Sequence, residues 1–578
     1  MMRLPFLLLL LVFVLIPDTL LGAVVLDVAV SGLDQEMSAN VLARLGIYQQ
    51  RENPKFSVGE MRRLHRKAGA DIKAALEPLG YYGSEVESAL VAVDGVWHAS
   101  YIVTPGEPVL VHSVTVRVTG PGGELSLFAD LEQQVPLQEG AVLKHQDYED
   151  GKKKILQWAV KNGFVEAKFD KHEILVQRAK HQADIKLLLN TGHRFLFGTT
   201  HSAQEIISQE LLSRYLPYKE GDSYSIREIS HLQSILYETG FFSEVAVAPE
   251  FDKAIDLRVP IALTLAPALR NRYSLGLGYG TDTGVRGKME WRNRLFNESG
   301  HKTHSSLQLS QRLNKLDASY EIPVADPRYD ALKYAGGLST ETWEETTTQL
   351  ISLATALSHS EPKKQYGATI EIRNEVYDVG ATSGTSLLLL PGASWSMIFA
   401  DNRINTENGW RFSVDLMGAE KSIISDATFL QAQAGAKGIM SLSDQWRLIG
   451  RLTLGGTAVD SIDDLPPSLR FYTGGDQSVR GYAYKSIGPV DASGAVIGGR
   501  YLMVGSIEAE RKIDNLWSLV AFYDTGQATN ELSLDLKKSV GVGGRVTLPF
   551  GQVRLDIAVP VMEEEGSFRI HLNVGADL

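Results

Sequence analysis

From Pro267 onward the chain is written in period two. Tyr273-Ser274-Leu275-Gly276-Leu277-Gly278-Tyr279-Gly280 sets Tyr, Leu, Leu and Tyr on one side and Ser and Gly on the other. Lys288 to Arg292, Ser306 to Ser310, Phe412 to Leu416, Val553 to Val559 and Phe568 to Val574 alternate in the same way. Side chains that switch sides at every residue mark β-strands with two unlike faces. In a water-soluble sandwich the apolar face meets a core. In a membrane-spanning barrel it meets lipid, and the polar face lines a lumen. The alternation is common to both.

Other features favour the barrel. Met1-Met2-Arg3, an apolar run from Leu4 to Ile16 and the small pair Gly22-Ala23 read as a secretory signal peptide over residues 1–22. The alternative is an N-terminal membrane anchor, for which the run is short. The 578 residues include no cysteine, which argues against a small disulfide-stapled secreted protein. Beyond the signal no stretch approaches the length of a transmembrane helix, and Ser386 to Pro391 holds only four leucines in a row. The 312 residues from Pro267 to Leu578 have room for about 16 spanning strands with their turns and outer loops. Closing such a sheet satisfies every backbone group without water, which is what lets strands cross a bilayer. The net charge of −12 makes nucleic acid an unsuitable partner.

The first half repeats itself. Asp71 to Leu76, Lys154 to Ala159 and Ile229 to Leu236 read as helices. They run into Gly80-Tyr81-Tyr82, Gly163-Phe164 and Gly240-Phe241-Phe242, with the glycines 83 and then 77 residues apart. Glycine suits the left-handed residue just past a helix end, and the aromatic after it can plug a core. Turns at Glu139-Gly140 and Glu220-Gly221 precede the second and third helices, and alternating runs such as Val114 to Val118 and Glu244 to Val247 flank them. The expected organisation is three α+β modules, at 23–104, 105–190 and 191–266, followed by a barrel over 267–578.

Two stretches of the second half invite a functional reading. Gly474-Gly475-Asp476-Gln477-Ser478-Val479-Arg480-Gly481-Tyr482 lies in a long Gly/Pro-punctuated segment between strands. A guanidinium there offers a planar five-donor fork suited to a carboxylate. A solvated hairpin loop is the plain alternative. The second stretch is the barrel's closure, where the first strand (Tyr273, Leu275, Gly276, Leu277, Gly278, Tyr279, Gly280) must meet the last (Phe568, Ile570, Leu572, Val574). Glycines at 276, 278 and 280 weaken a strand and permit register slippage, as a laterally opening seam would require. Small inward residues that make room for something in the lumen are the other reading, and the two are compatible.

These features together resemble a known family. The repeats resemble polypeptide-transport-associated (POTRA) domains over about Ala23 to Ala266. An array of them before such a barrel resembles the BamA/TamA superfamily of outer-membrane insertases. Val479-Arg480-Gly481-Tyr482 is similar to that family's VRG(F/Y) motif, carried on a loop that folds back into the lumen. Val520 to Gly526 resembles the inner-wall strand whose Asp524 receives the arginine. Gly505-Ser506-Ile507-Glu508 resembles the preceding strand, whose Glu508 also faces it. Gly541 to Arg545, Pro549-Phe550-Gly551 and Arg554-Leu555-Asp556 resemble the closing hairpin. Three modules, the overall length, Arg270 to Gly284, Gly300-His301 and Tyr320 to Pro323 are most similar to the TamA branch.

The resemblance implies an outer-membrane location with the POTRA modules in the periplasm. It implies a TamB-like periplasm-spanning partner bound through the modules, client outer-membrane polypeptides such as autotransporters, and contact with outer-membrane lipids. Exposed sheet edges of the modules would catch extended clients by strand addition, unless the modules are only spacers. Two alternatives stay open: a secretion pore of the two-partner type, and a passive outer-membrane channel. The end, Val574-Gly575-Ala576-Asp577-Leu578, departs from the aromatic terminus of many such barrels, so the assembly signal is expected slightly inside it.

No enzymatic constellation stands out. Nucleophile-elbow, zinc-protease and phosphate-loop motifs do not occur. Neither a cofactor nor a metal is expected, the pair His301 and His304 included.

Overall fold

The computed structural model describes residues 25–129, 131, 135–280, 284–549, 551–561 and 568–575. The expected signal peptide over 1–22, residues 281–283 and the terminal residues 576–578 lie outside the described residues. The chain divides into two compact units. One comprises Met1–Thr199, Tyr218–Ile229 and Pro249–Ile261, and the other Thr200–Pro217, Ser230–Ala248 and Ala262–Leu578.

In the first unit, β1 (Leu26–Ser31), α1 (Gln35–Arg44), α2 (Gly46–Gln49), α3 (Val58–Leu76), β2 (Glu85–Val93) and β3 (Val96–Thr104) form one α+β layer pair. Its sheet has the order β1-β3-β2. Ser57 caps α3 by accepting from the Glu60 amide at 3.2 Å, so the helix begins where a Ser-x-x-Glu box places it. Met61, Leu64, Ala68, Ile72 and Ala75 of α3, at helical spacing, are buried against Tyr101 and Val103 of β3.

Next come β4 (Leu110–Thr119), α4 (His145–Lys161), β5 (Lys168–Gln177) and β6 (Gln182–Asn190), with sheet order β4-β6-β5. A third sheet of order β7-β9-β8 is built from β7 (Leu196–Ser202), β8 (Phe242–Pro249) and β9 (Arg258–Pro267). It accompanies α5 (Gln209–Tyr215) and α6 (Ile226–Glu238).

The repeat glycines behave alike, with φ of 94° at Gly80, 93° at Gly163 and 71° at Gly240. Phe164 and Phe241 fill cores as expected. The first copy differs: α3 ends at Leu76, a 3₁₀ turn (Glu77–Leu79) intervenes, and Tyr81 and Tyr82 are only half-buried. Tyr82 packs on the core of the following module instead, and its hydroxyl meets His145 Nε2 at 2.6 Å.

The second unit contains a sixteen-stranded antiparallel sheet whose order follows the chain from β10 to β25. The first eight strands are β10 (Asn271–Gly280), β11 (Gly284–Asn293), β12 (Lys302–Ser310), β13 (Leu313–Pro323), β14 (Asp330–Trp343), β15 (Thr346–Ser360), β16 (Lys364–Val379) and β17 (Thr382–Ala400). The remaining eight are β18 (Gly409–Ala419), β19 (Phe429–Ser441), β20 (Trp446–Val459), β21 (Tyr501–Lys512), β22 (Trp517–Thr529), β23 (Lys537–Leu548), β24 (Gly551–Pro560) and β25 (Arg569–Gly575). Hairpin connections alone generate this order, so each strand's register fixes which face its neighbour presents. Ile507 and Tyr523 stand on the outside, while their neighbours in sequence Ser506, Glu508, Phe522 and Asp524 are buried inside. The outward apolar set, with the polar set within, is the arrangement of a lipid-embedded barrel rather than of a sandwich. No described helix is long and apolar enough to cross a membrane.

Closure is looser than a continuous ladder. β10 pairs only with β11 over Asn271–Gly280, and β25 with β24 over Arg569–Gly575. Among the described residues no ladder joins β10 to β25, although Cα atoms of the two approach within 8 Å. Where the first and last strands were expected to pair, the described residues show proximity without a ladder. A glycine-rich strand on one side and a short strand on the other leave few residues able to hold a register there.

Candidate functional site

Between β20 and β21 the chain leaves the wall as a loop, residues 460–500, that folds into the barrel. Two 3₁₀ turns (Ile462–Asp464 and Pro467–Leu469) and the paired amides and carbonyls of Phe471 and Gly499 give it internal structure. Its tip is a tight turn in which the Tyr482 amide donates to the Val479 carbonyl at 3.1 Å. Gly474, at φ 103°, has the Ala483 carbonyl oxygen 2.2 Å from where a Cβ would stand, so only glycine lets the two arms of the tip close. Val479, Tyr482 and Ile487 form a small apolar cluster.

Arg480 projects from this tip into the wall. Its Nε and Nη2 donate to the two oxygens of Asp524 at 2.8 and 2.7 Å, a bidentate fork, and its backbone amide adds a third bond at 3.1 Å. Nη2 also lies 3.0 Å from Glu508 and 3.2 Å from Ser506 Oγ, and Nη1 is 3.0 Å from Asp556. The guanidinium stacks over the Phe522 ring at 3.4 Å. Ser506, Asp524 and Ser539 are successive cross-strand partners on β21, β22 and β23, so register alone lines them up beneath the arginine. Arg545 meets both Asp556 and Glu508, and Arg451 reaches Glu508 at 3.5 Å. Arg480, Arg545 and the partly exposed Arg451 thus face Glu508, Asp524 and Asp556, and the charge of Arg554 also acts on Glu508. Burial pushes the Arg480 group down, but the Asp524 hydrogen bond and the charges of Glu508, Asp524 and Asp556 outweigh it and hold it above the ordinary arginine value.

The loop is also held elsewhere. Tyr484 and Lys485 each donate to Glu341 of β14 at 2.9 Å, and Lys485 lies 3.8 Å over the Trp343 ring. Ser468 bonds to Glu375 of β16, and Gln431 of β19 donates to the Leu469 carbonyl at 2.8 Å. The segment around the tip therefore connects walls on β14 and β16 with walls on β21, β22 and β24.

Of the residues singled out from sequence, Val479, Arg480, Gly481, Tyr482, Glu508 and Asp524 meet in this one site. The seam residues lie at the two ends of the sheet: Tyr273, Leu275 and Leu277 on β10 face outward and exposed, as do Phe568 just before β25 and Ile570 and Leu572 on it. Gly278, Tyr279 and Gly280 complete β10, and Val574 lies on β25. Gly276 pairs with Lys288, whose Cβ is 3.9 Å from the place a Gly276 Cβ would take, so crowding does not explain this glycine.

Sequence reasoning missed the roles of Asp556, Arg545, Ser506 and His571. Asp556 stood in the recognised hairpin without a role, and its inward side of an alternating strand was the available signal. His571 Nε2 meets the Arg480 carbonyl at 2.8 Å. Among the described residues no group of three or more His, Asp or Glu is arranged to hold a metal.

This geometry has known counterparts. Residues 270–577 match the Omp85 superfamily domain. The chain belongs to the Omp85 superfamily. Residues 27–105 match a POTRA domain described as TamA domain 1. Among curated relatives, the outer membrane protein assembly factor BamA of Nitratidesulfovibrio vulgaris (strain Hildenborough) is 26% identical over 63% of this chain and 48% of its own length. The outer membrane protein assembly factor BamA of Neorickettsia risticii (strain Illinois) is 22% identical over 78% of this chain and 64% of its own. The chain thus spans about half to two thirds of the curated relatives it matches. The crystal structure of BamA from Haemophilus ducreyi lacking POTRA domains 1–3 has the same fold, with a TM-score of 0.68 at 16% identity, covering 80% of this chain and 99% of that one.

Proposed function

We propose that the protein resides in the bacterial outer membrane and inserts or translocates client outer-membrane polypeptides by strand pairing at the β10/β25 seam. The observation that carries this reading is the seam itself: two terminal strands held close without a ladder among the described residues, one of them softened by glycine. An edge with unpaired amides and carbonyls can template an incoming strand largely regardless of its sequence. The lumen loop bonds to β14, β16, β22, β24 and β25, so it is placed to brace the wall on which the seam depends. No covalent chemistry is required.

In this reading residues 23–104, 105–190 and 191–266 are three periplasmic POTRA modules, and the match at 27–105 to a TamA POTRA model favours the TamA branch over other members. The finer reading follows from that branch: a TamB-like partner bound through the modules and autotransporter-like clients. A loop that folds into the barrel and bonds to several walls disfavours a steady passive channel, and single-channel conductance of the purified protein checks this. The decisive experiment locks the seam. Cysteines replacing Leu277 and Leu572, bridged by a short bis-maleimide, should abolish client assembly in proteoliposomes, with recovery when the linker is cleavable and cut. Full assembly by the bridged protein would sink the lateral mechanism. Co-purification of a TamB-like protein with the full chain, lost on deleting residues 23–104, tests the partner.

A further inference from the structure

Arg480 holds the closing hairpin by two different groups. Its side chain donates to Asp556 on β24, and its backbone carbonyl accepts from His571 on β25. Asp556 and His571 are direct cross-strand partners, so the loop grips one rung of the last hairpin from both sides. Both side chains are buried, at 4% and 3% exposure. A carbonyl has only lone pairs to offer, so the bond requires the His571 proton on Nε2.

The neighbouring residue shows how tightly the loop is seated. A Cβ on Gly481 would stand 2.8 Å from the Pro560 nitrogen and the Val559 carbonyl carbon, so the loop backbone lies directly against the end of β24. Among the described residues its neighbour β25 has a ladder on one side, to β24, and its outward side chains Ile570 and Leu572 are apolar.

From this arrangement we infer that His571 is a positioning residue. It tethers the last strand to the lumen loop, so that undocking of the Arg480 tip and loosening of the β25 edge are one event. The loop then sets how readily the seam opens, although it stands on the inner side of the wall. The inference rests on the reading of β10 and β25 as the client-facing seam.

Amide hydrogen exchange of the full-length protein in lipid nanodiscs tests it. His571→Leu removes the donor and should speed exchange of residues 569–575 about fivefold, the effect of one net hydrogen bond, while residues 517–529 of β22 keep the wild-type rate. His571→Gln, which retains an N–H donor of similar reach, should restore most of the protection. His571→Asn, shorter by a methylene, should not, and this pair serves if the leucine variant fails to assemble. Unchanged exchange at 569–575, an equal rise at 517–529, or Gln and Asn variants that behave alike would each overturn the tether. A selective rise at 569–575 with client assembly neither raised nor lowered would leave the tether standing and remove the seam reading beneath it.

Discussion

Asp524 takes five hydrogen bonds at one buried carboxylate, three from Arg480 and one each from Ser506 and Ser539. Such a group is worth little as an attraction summed in isolation, because two charges had to be desolvated to make it. Its loss is costly because Arg480 is then left buried with fewer partners. Asp524→Ala and Arg480→Ala should each lower barrel stability by about 3–5 kcal/mol. The check is the heat-modifiability midpoint on gels, with amide exchange over residues 58–76 of α3 unchanged. Gly481→Ala tests the close approach rather than the charge. A methyl facing backbone atoms at 2.8 Å cannot be accommodated by a side-chain shift, so the tip should lift from β24 at a cost of about 1–3 kcal/mol. Loss of the Arg480 contacts would be visible as faster exchange across residues 474–487. The arginine and two of its carboxylates were legible in sequence because they stand in short recognisable motifs. Asp556 and His571 were not, since nothing local in an alternating strand marks which inward residue a distant loop will touch.

At the scale of elements, β10 is the informative strand. Gly276 has space for a methyl, so Gly276→Ala should fit the fold and stiffen the strand by about 0.5–1 kcal/mol. Slower exchange over residues 271–277 with reduced client assembly is the expected pair of results; unchanged activity despite the stiffening would separate the glycine from the seam. In the first module, α3 carries His65, whose Nδ1 meets the buried Tyr101 hydroxyl at 2.9 Å. Burial pushes the imidazole below its usual value. A depressed folded value means protonation favours the unfolded chain. The associated stability is therefore present above the unfolded value of about 6.5 and is lost as pH falls through the lower folded one. Exchange over residues 58–76, corrected for its intrinsic pH dependence, should rise below about pH 6.5 in the wild type and stay flat in His65→Gln. The helices and their glycine ends were legible because spacing and caps are local. The half-buried Tyr82 was not, because whether an aromatic fills its own module or the next depends on packing between them.

For the whole molecule, the sixteen-strand count followed from chain length and strand pitch, and the lumen side of each strand followed from alternation once one strand was oriented. The character of the closure did not. Whether strands that begin 298 residues apart, at Asn271 and Arg569, form a ladder or merely come near depends on the register accumulated around the sheet and on what holds the last strand from inside. The bridged-cysteine experiment belongs at this scale, because it asks whether the barrel works as a closed wall or as one that parts.

The amino-acid order alone determined the period-two second half, the three helix-glycine-aromatic repeats and the arginine motif, because each is written in residues close together along the chain. Only the tertiary structure decided that Arg480 would share its carboxylates with Arg545, that its carbonyl would take a proton donor from β25, and that, among the described residues, the two end strands would stand close without a ladder. Those outcomes turn on distances between atoms contributed by strands far apart in sequence, and a buried charge finds its partners only once the sheet has curved round to supply them.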